Sequence, residues 1–296
     1  MKLEGIVTAL VTPVGRNFET LRDGLKSLIE FQVKNGISGF FILGTYGEGL
    51  LLSKERRKKF VESVIEFTPS NIPVIINVSA TDVETAYELA LHAKDVGATA
   101  VSAVGPIYHK PDKQGLILFY KYIAKVDMPL LVYNNVGRQG YNIDPATFGS
   151  IAEAVSNVVG IKDTSYRIDQ IRKYVEKFGN KYTIAGAGDS LIALTFVVKA
   201  HAHICGISNA FPELAVKIYR LVKEGNVEEA LKIQGLIDEL RSKIKKFPIE
   251  SAAVIKEILK LRGINAGYPL IPIRELSDEE KKELKKLMEP YLSELK

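Results

Sequence analysis

The chain has 296 residues, of which 46% are hydrophobic and 25% charged, an ordinary composition for a globular protein with a large core. Its 40 basic and 35 acidic residues leave a net charge of +5, and the densest basic stretches lie on segments with helical spacing of apolar residues. Such stretches are typical of solvated helix faces, so nucleic acid is not an expected partner. The single cysteine, Cys205, excludes an intrachain disulfide framework and a metal site built from several cysteines.

The apolar run near the amino terminus favours a strand of the folded protein over a secretory signal. Thr8, Thr12 and Pro13 interrupt this run, which a signal peptide would keep apolar. The sequence contains no uninterrupted apolar stretch of about 18 residues, so we expect no contact with a membrane. The expected compartment is the cytoplasm.

Short β-rich runs alternate with amphipathic helical stretches through the first three quarters of the chain. In the first helical stretch, Leu21, Leu25 and Leu28 recur with the spacing of a buried helix face. Strands that alternate with helices pair in parallel through right-handed crossovers, and eight such units close into a (β/α)8, or TIM, barrel. The predicted strands are Ile6–Val11, Gly39–Leu43, Val74–Val78, Ala100–Ala103, Leu130–Tyr133, Val158–Lys162, Tyr182–Ala185 and His203–Ile207. The predicted helices are Leu21–Lys34, Lys54–Phe67, Val83–Val96, Leu116–Ala124, Pro145–Ala154, Ile168–Lys177, Ser190–Lys199 and Glu213–Lys223.

The pattern changes after residue 225, where helices follow one another without strands. We predict a catalytic barrel over residues 1–225 and a C-terminal three-helix extension over residues 226–296 that packs on the barrel. The helices of the extension are predicted at Val227–Ile244, Ile249–Leu261 and Asp278–Leu292, with a non-helical connector over Gly263–Pro272. The alternative fold is an open doubly wound sheet, but no glycine-rich phosphate fingerprint follows the first strand.

Lys162 ends the predicted sixth strand, which is otherwise apolar and buried. An ammonium group costs several kcal/mol to bury without a partner, so a lysine at this position needs a reason. One reading is a lysine that snorkels to solvent or pairs with Asp163. The other is a nucleophile: desolvation lowers the pKa of the amine, and the neutral amine condenses with a carbonyl group.

The loops after the other strands bring further polar groups to the same end of the barrel. Gly44–Gly49 contains three glycines and Thr45, Tyr108 follows the fourth strand, Tyr133 ends the fifth, and Arg138 comes shortly after it. An attacking amine, a phenol that moves protons and a guanidinium that holds a carboxylate suit imine chemistry on a keto acid.

Neither a metal nor a cofactor is expected for this chemistry. His201 and His203 are the one closely spaced histidine pair, and the sequence offers no third ligand near them. Phosphoryl transfer is disfavoured as well, because the sequence has no P-loop.

Four of these segments resemble, in order and in spacing, the motifs of one enzyme family. They are Gly44-Thr45-Tyr46-Gly47-Glu48, Pro106-Ile107-Tyr108, Tyr133-Asn134-Asn135-Val136 and Gly160-Ile161-Lys162-Asp163-Thr164. The corresponding family patterns are G-T/S-T-G-E, P-Y-Y, Y-N-x-P and G-x-K-[DEA]-[ST]. Over nearly its whole length the chain resembles the dihydrodipicolinate synthase/N-acetylneuraminate lyase family, which consists of pyruvate-dependent class I aldolases.

The resemblance implies roles for four residues. Lys162 would form a Schiff base with pyruvate, and Tyr133 would act as the acid and base at the imine and at the aldol oxygen. Thr45 and Tyr108 would complete a hydroxyl relay with Tyr133, and Tyr108 would come from a neighbouring subunit. This exchange of a side chain predicts a homo-oligomer, either a homodimer or a homotetramer.

Four further positions are expected to contact the substrates. Gly188 and Ile204 match family positions that place main-chain groups around the bound keto acid. Tyr46 replaces a threonine that usually helps to hold the pyruvate carboxylate. Arg138 lies where dihydrodipicolinate synthases keep an arginine for the carboxylate of the second substrate.

The sequence leaves the second substrate open. Arg138 favours aspartate semialdehyde, and hence a 4-hydroxy-tetrahydrodipicolinate synthase. The stretch Ser208–Glu213 resembles archaeal 2-keto-3-deoxygluconate aldolases, which favours cleavage of a sugar acid. A hypothesis from another class is a non-catalytic keto-acid sensor that uses the C-terminal extension as a partner surface.

Overall fold

The computed structural model describes residues 3–294 and contains eight parallel strands that close into a barrel. Each strand pairs with the next in chain order, and the first also pairs with the eighth. This arrangement confirms the predicted (β/α)8 fold and excludes the open doubly wound sheet. The strands are β1 (Gly5–Ala9), β2 (Gly39–Ile42), β3 (Val74–Asn77), β4 (Ala100–Val104), β5 (Leu130–Asn134), β6 (Val158–Asp163), β7 (Thr183–Ala187) and β8 (Ala202–Cys205).

Helices cover the outside of the barrel and continue beyond it. Several begin at a side chain that accepts a hydrogen bond from the first turn, as Ser53, Asp82, Asp112 and Asp144 do. The helices are α1 (Arg22–Lys34), α2 (Lys54–Phe67), α3 (Val83–Asp95), α4 (Lys113–Ala124), α5 (Val136–Gln139), α6 (Pro145–Ala154), α7 (Ile168–Phe178), α8 (Ile192–Val197), α9 (Pro212–Lys223), α10 (Val227–Ile244), α11 (Ser251–Leu261) and α12 (Asp278–Glu294).

Two predicted helices are shorter, by two residues or more, than their sequence pattern suggested. The stretch predicted as Ser190–Lys199 begins with a 3₁₀ turn, and the helix ends before Lys199, whose φ of +65° is left-handed. The helix predicted from Ile249 begins at Ser251, because Glu250 has an extended backbone with ψ of 132°. Periodicity alone does not reveal such ends, since both segments keep their apolar spacing.

The apolar residues form two layers, one between the strands and the helices and one inside the barrel. Alternation along each strand separates the layers: in β2, Phe40 belongs to the outer layer and Phe41 to the interior. The interior is filled with side chains from several strands, including Val7, Ile75 and Leu131. A filled interior leaves room for a ligand only at the ends of the barrel.

Of the last three helices, α10 packs against α8 and α9, whereas α12 packs against α11. Arg262 donates a hydrogen bond to the carbonyl oxygen of Ala210 at 2.9 Å and forms an ion pair with Glu213 at 2.5 Å. The division of the chain into two domains at residue 225 stays a prediction. Residues 1, 2, 295 and 296, which the predicted domains include, lie outside the described part of the chain. Among residues 3–294, no helix combines the length and the apolar character needed to cross a membrane.

Candidate active site

The amine of Lys162 lies inside the carboxyl end of the barrel, with only 4% of the residue exposed. Its Nζ atom is 3.8 Å from the ring centroid of Phe41 and 4.0 Å from that of Tyr133. Burial lowers the pKa of Lys162 below its usual value of 10.5, although Tyr133 opposes the effect. The alternative that Lys162 snorkels to solvent is therefore wrong. The neutral form of the amine is more favoured in this site than it would be for a lysine in water.

Tyr133 is the neighbour of Lys162 across the sheet, since the two residues are paired in the register of β5 and β6. Burial by itself raises the pKa of the phenol, but the Lys162 ammonium and hydrogen bonds from Thr45 and Asn135 lower it below its ordinary value. The phenol and the amine thus form a coupled buried pair in which each shifts the protonation of the other.

Asn135 is a member of the site that the sequence reasoning missed. Its side-chain nitrogen donates to the phenol oxygen of Tyr133 at 2.8 Å and lies 3.5 Å from the hydroxyl of Thr45. The amide therefore aligns the phenol with a hydroxyl at the rim of the cavity. Its position directly after β5, two residues from Tyr133, was the available signal.

Tyr108 lies apart from the other predicted catalytic residues. It is 96% exposed and does not line the cavity around Lys162. Its φ of +71° is unusual for a bulky residue and marks a strained backbone at this position. The prediction that Tyr108 acts in a neighbouring subunit remains a prediction.

Tyr46 occupies one wall of the cavity. Its hydroxyl donates to a carboxylate oxygen of Asp189 at 3.2 Å, and the other oxygen of Asp189 accepts from the backbone of Gly206 at 2.9 Å. A Cβ atom on Gly206 would lie 2.1 Å from the ring of Tyr46, so only glycine admits the ring at this place. Tyr46 therefore fills space and holds Asp189, unlike the threonine expected from the family pattern.

Gly188 and Ile204 form the neighbouring part of the wall. Gly188 has a φ of +99°, and a Cβ atom there would lie 2.6 Å from the ring of Tyr166. Ile204 is buried and lines the cavity from β8. Both residues line the same cavity as Lys162.

A cavity of about 520 Å³ lies above these residues, and Arg138 reaches it together with a carboxylate that the sequence did not indicate. One nitrogen of Arg138 donates to both carboxylate oxygens of Glu250, at 2.8 and 3.0 Å. The extended backbone before α11 places Glu250 there. The positive charge expected to receive a substrate is thus compensated within the chain.

Cys205 also lines the cavity, but burial raises the pKa of its thiol to about 12, so it is a poor nucleophile. His203 is buried against Thr195, and burial lowers the pKa of its ring to about 3. Within residues 3–294 there is no group of three or more side chains suited to holding a metal ion.

The model of the dihydrodipicolinate synthetase family matches residues 2–290. The chain belongs to this family. A 4-hydroxy-tetrahydrodipicolinate synthase of Methanocaldococcus jannaschii is 31% identical, and the match covers 96% of this chain and 97% of the relative.

Solved structures of other family enzymes share the whole fold. A sialic acid aldolase of Ruminococcus gnavus has a TM-score of 0.93 at 26% identity and 99% coverage of both chains. A 2-keto-3-deoxygluconate aldolase variant of Sulfolobus solfataricus has a TM-score of 0.89 at 27% identity, with 98% of this chain and 97% of that chain covered. As a member of the dihydrodipicolinate synthetase family, the protein is an enzyme: a lyase that forms a lysine Schiff base with pyruvate.

Replacing Lys162 with methionine should stabilise the fold by about 1–3 kcal/mol at neutral pH, because the buried position penalises a charge. The folded-state pKa of the amine is lowered, so the unfolded chain binds more protons between that pKa and 10.5. Wild-type stability therefore rises with pH across this window, and the advantage of K162M shrinks. Urea unfolding at several pH values measures both effects.

The matched control for this prediction is Lys177, which is exposed on α7. K177M should leave the free energy of unfolding within about 0.5 kcal/mol of the wild-type value. A K162M variant that is less stable than wild type at every pH would contradict a desolvated amine.

Proposed function

We propose that this enzyme joins pyruvate to an aldehyde, or splits the corresponding aldol, through a Schiff base on Lys162. The observation that carries the proposal is the buried amine beside a phenol at the floor of a cavity. A second structure of the R. gnavus sialic acid aldolase is described as a catalytic lysine mutant, which supports a lysine in this role.

The reaction begins when the neutral amine of Lys162 adds to the carbonyl carbon of pyruvate. Uptake of one proton and loss of the former carbonyl oxygen as water leave a protonated imine, and loss of a proton from the methyl carbon gives an enamine. The enamine carbon attacks the aldehyde carbon, the aldehyde oxygen takes up a proton, and water hydrolyses the new imine to return the amine. Cleavage follows the same steps in reverse.

Tyr133 is placed to move the protons in these steps. Its phenol contacts the amine, and its lowered pKa brings it closer to the range in which a phenol exchanges protons usefully. Asn135 and Thr45 orient the phenol, so Thr45 acts as the next hydroxyl of the relay. Gly188 and Ile204 border the space for the keto acid, and Tyr46 shapes it.

The relay is completed by Tyr108 from a second copy of the chain, and the enzyme is therefore a homodimer or homotetramer. Tyr108 is almost fully exposed, and Leu50, Leu51 and Ile271 are also exposed apolar residues. A second cavity, of about 380 Å³, is lined by Leu50, Leu51, Ile107 and Tyr133 among other residues. An apolar surface beside the active site suits an interface that brings in a side chain.

Aspartate semialdehyde is the first candidate for the aldehyde. Arg138 lines the cavity, and a guanidinium binds a carboxylate with two parallel hydrogen bonds. Relatives about 30% identical, including the M. jannaschii protein, are named 4-hydroxy-tetrahydrodipicolinate synthase. Glu250 would have to leave Arg138 when such a substrate binds.

A sugar aldehyde, released from a 2-keto-3-deoxy sugar acid, is the second candidate. Glu250 already compensates the charge of Arg138, and the same cavity wall carries Thr164, Ser165 and Tyr166. Hydroxyl and carboxylate groups suit a neutral polyhydroxylated substrate. A non-catalytic sensor is disfavoured, because membership in an enzyme family and a buried amine–phenol pair both favour catalysis. The proposed compartment is the cytoplasm.

Borohydride reduction in the presence of pyruvate should leave a reduced pyruvate adduct on Lys162, identified by peptide mass spectrometry. K162R is the matched control, because it keeps a cation of similar length that cannot condense with the keto acid. We expect no adduct and no turnover in K162R. A wild-type adduct on another lysine, or none at all, would overturn the proposed chemistry.

An aldehyde panel with R138L and E250Q separates the two substrate classes. With aspartate semialdehyde as the true substrate, R138L should raise KM about 10- to 100-fold, and E250Q should lower KM by freeing the guanidinium. Arg172, an exposed arginine of α7 paired with Glu176, supplies the control variant R172L. Turnover restricted to neutral sugar aldehydes would refute the first candidate and support the second.

Mixing two inactive variants tests the donation of Tyr108. A Y108F subunit keeps Lys162, and a K162A subunit keeps Tyr108, so each mixed dimer contains one complete site if the tyrosine crosses the interface. Random dimers should then recover about a quarter of wild-type activity. Mixtures no more active than the two parents would show that Tyr108 does not act across an interface.

A further inference from the structure

A fully buried ion pair connects the loop after β2 to helix α11 of the C-terminal extension. The carboxylate of Glu48 lies 2.6 Å from Nζ of Lys256, and neither side chain has any exposed area. The ammonium also donates to the carbonyl oxygen of Tyr268 at 2.7 Å. The second carboxylate oxygen accepts from the backbone nitrogen of Leu270 at 2.5 Å. Both charges are thus bonded to the main chain of the connector between α11 and α12.

A buried ion pair such as this contributes little net stability to the fold. Each ion loses several kcal/mol of hydration on burial, and apolar residues of similar size are often as stabilising. A buried ion pair does fix geometry, because each partner is costly to displace from the other. Glu48 and Lys256 therefore act as a rigid link between two distant parts of the chain.

The link ends on the loop that carries Thr45. The backbone nitrogen of Glu48 donates to the carbonyl oxygen of Thr45 at 3.2 Å, and Glu48 has a left-handed φ of +52°. On its other side the loop is tied to the barrel, where the hydroxyl of Thr12 donates to the carbonyl oxygen of Gly47 at 2.6 Å. The backbone of the loop that carries Thr45 is thus held by a carboxylate that pairs with α11.

We propose that Glu48 and Lys256 are positioning residues that set Thr45 against Tyr133. Through this pair the C-terminal extension completes the active site of the barrel. The inference rests on the proposed role of Thr45 in the proton relay. It adds that the ion pair keeps Thr45 in the position that this role requires. A misplacement of a relay group by about 1 Å lowers a rate by as much as about 100-fold.

The variant E48D tests the pair by shortening one partner while keeping its charge. We expect kcat to fall about 10- to 100-fold, while the equilibrium amount of borohydride-trapped adduct on Lys162 stays at the wild-type level. E66D is the matched control, because Glu66 forms an exposed ion pair with Arg22. Wild-type kcat in a folded E48D variant would overturn the inference.

Combining E48D with T45V shows whether Glu48 acts through Thr45. We expect T45V to lower kcat and E48D to cost nothing further in that background, because residues that act as one unit are not additive. An equal loss from E48D in both backgrounds would mean a general structural effect and would overturn the inference. Wild-type kcat in T45V would remove Thr45 from the relay, whereas adduct formation on Lys162 would still support the proposed Schiff base.

The double variant E48Q/K256M distinguishes a loss of positioning from a loss of folding. It removes both charges and keeps the side-chain sizes, so the melting temperature should stay close to the wild-type value. We expect kcat to remain low despite this stability, with KM for pyruvate nearly unchanged. Full kcat in the double variant would overturn the positioning role.

Discussion

The burial of one amine is the constraint on which the active site depends. Lys162 lies near the carboxyl end of β6, and burial lowers the pKa of its amine although the neighbouring Tyr133 opposes the shift. The same desolvation that costs stability makes the amine available for attack on a carbonyl. The filled barrel interior below it and the paired strands on both sides leave the side chain only one direction, toward the cavity.

The groups around the amine come from separate loops, each fixed by contacts of its own. Asn135 joins the phenol to Thr45, while Tyr46 and Asp189 are held against Gly206 at the end of β8. The loop of Thr45 is anchored to the C-terminal extension by Glu48 and Lys256. The contacts that fix the Thr45 loop therefore join main-chain segments far apart in the sequence, as in the hydrogen bond from Leu270 to Glu48, which are 222 residues apart.

The cavity combines features of two substrate classes within one family. Arg138 offers a cation for an anionic aldehyde, whereas Glu250 compensates that cation and adds an acceptor for hydroxyl groups. An exposed ion pair of this kind contributes only about 0–1 kcal/mol, so a substrate carboxylate would displace Glu250 from Arg138 at a small cost. A change in the charges at Arg138 and Glu250 would therefore alter which aldehydes bind, without a change in the groups around Lys162.

The sequence by itself determined the barrel, the family and the positions of Lys162 and Tyr133 on their strands. The signals for these features, which are the alternation of strands and helices and the short motifs, depend on residues close together in the sequence. It also predicted helices such as Lys54–Phe67 and Pro145–Ala154 with their observed bounds. Only the tertiary structure decided that Asn135 supports the phenol, that Glu250 meets Arg138, and that Glu48 pairs with Lys256. Asn135 is only two residues from Tyr133, and its role depends on how the folded chain orients its side chain. The other two contacts join residues far apart in the chain, for which a single sequence carries no local signal.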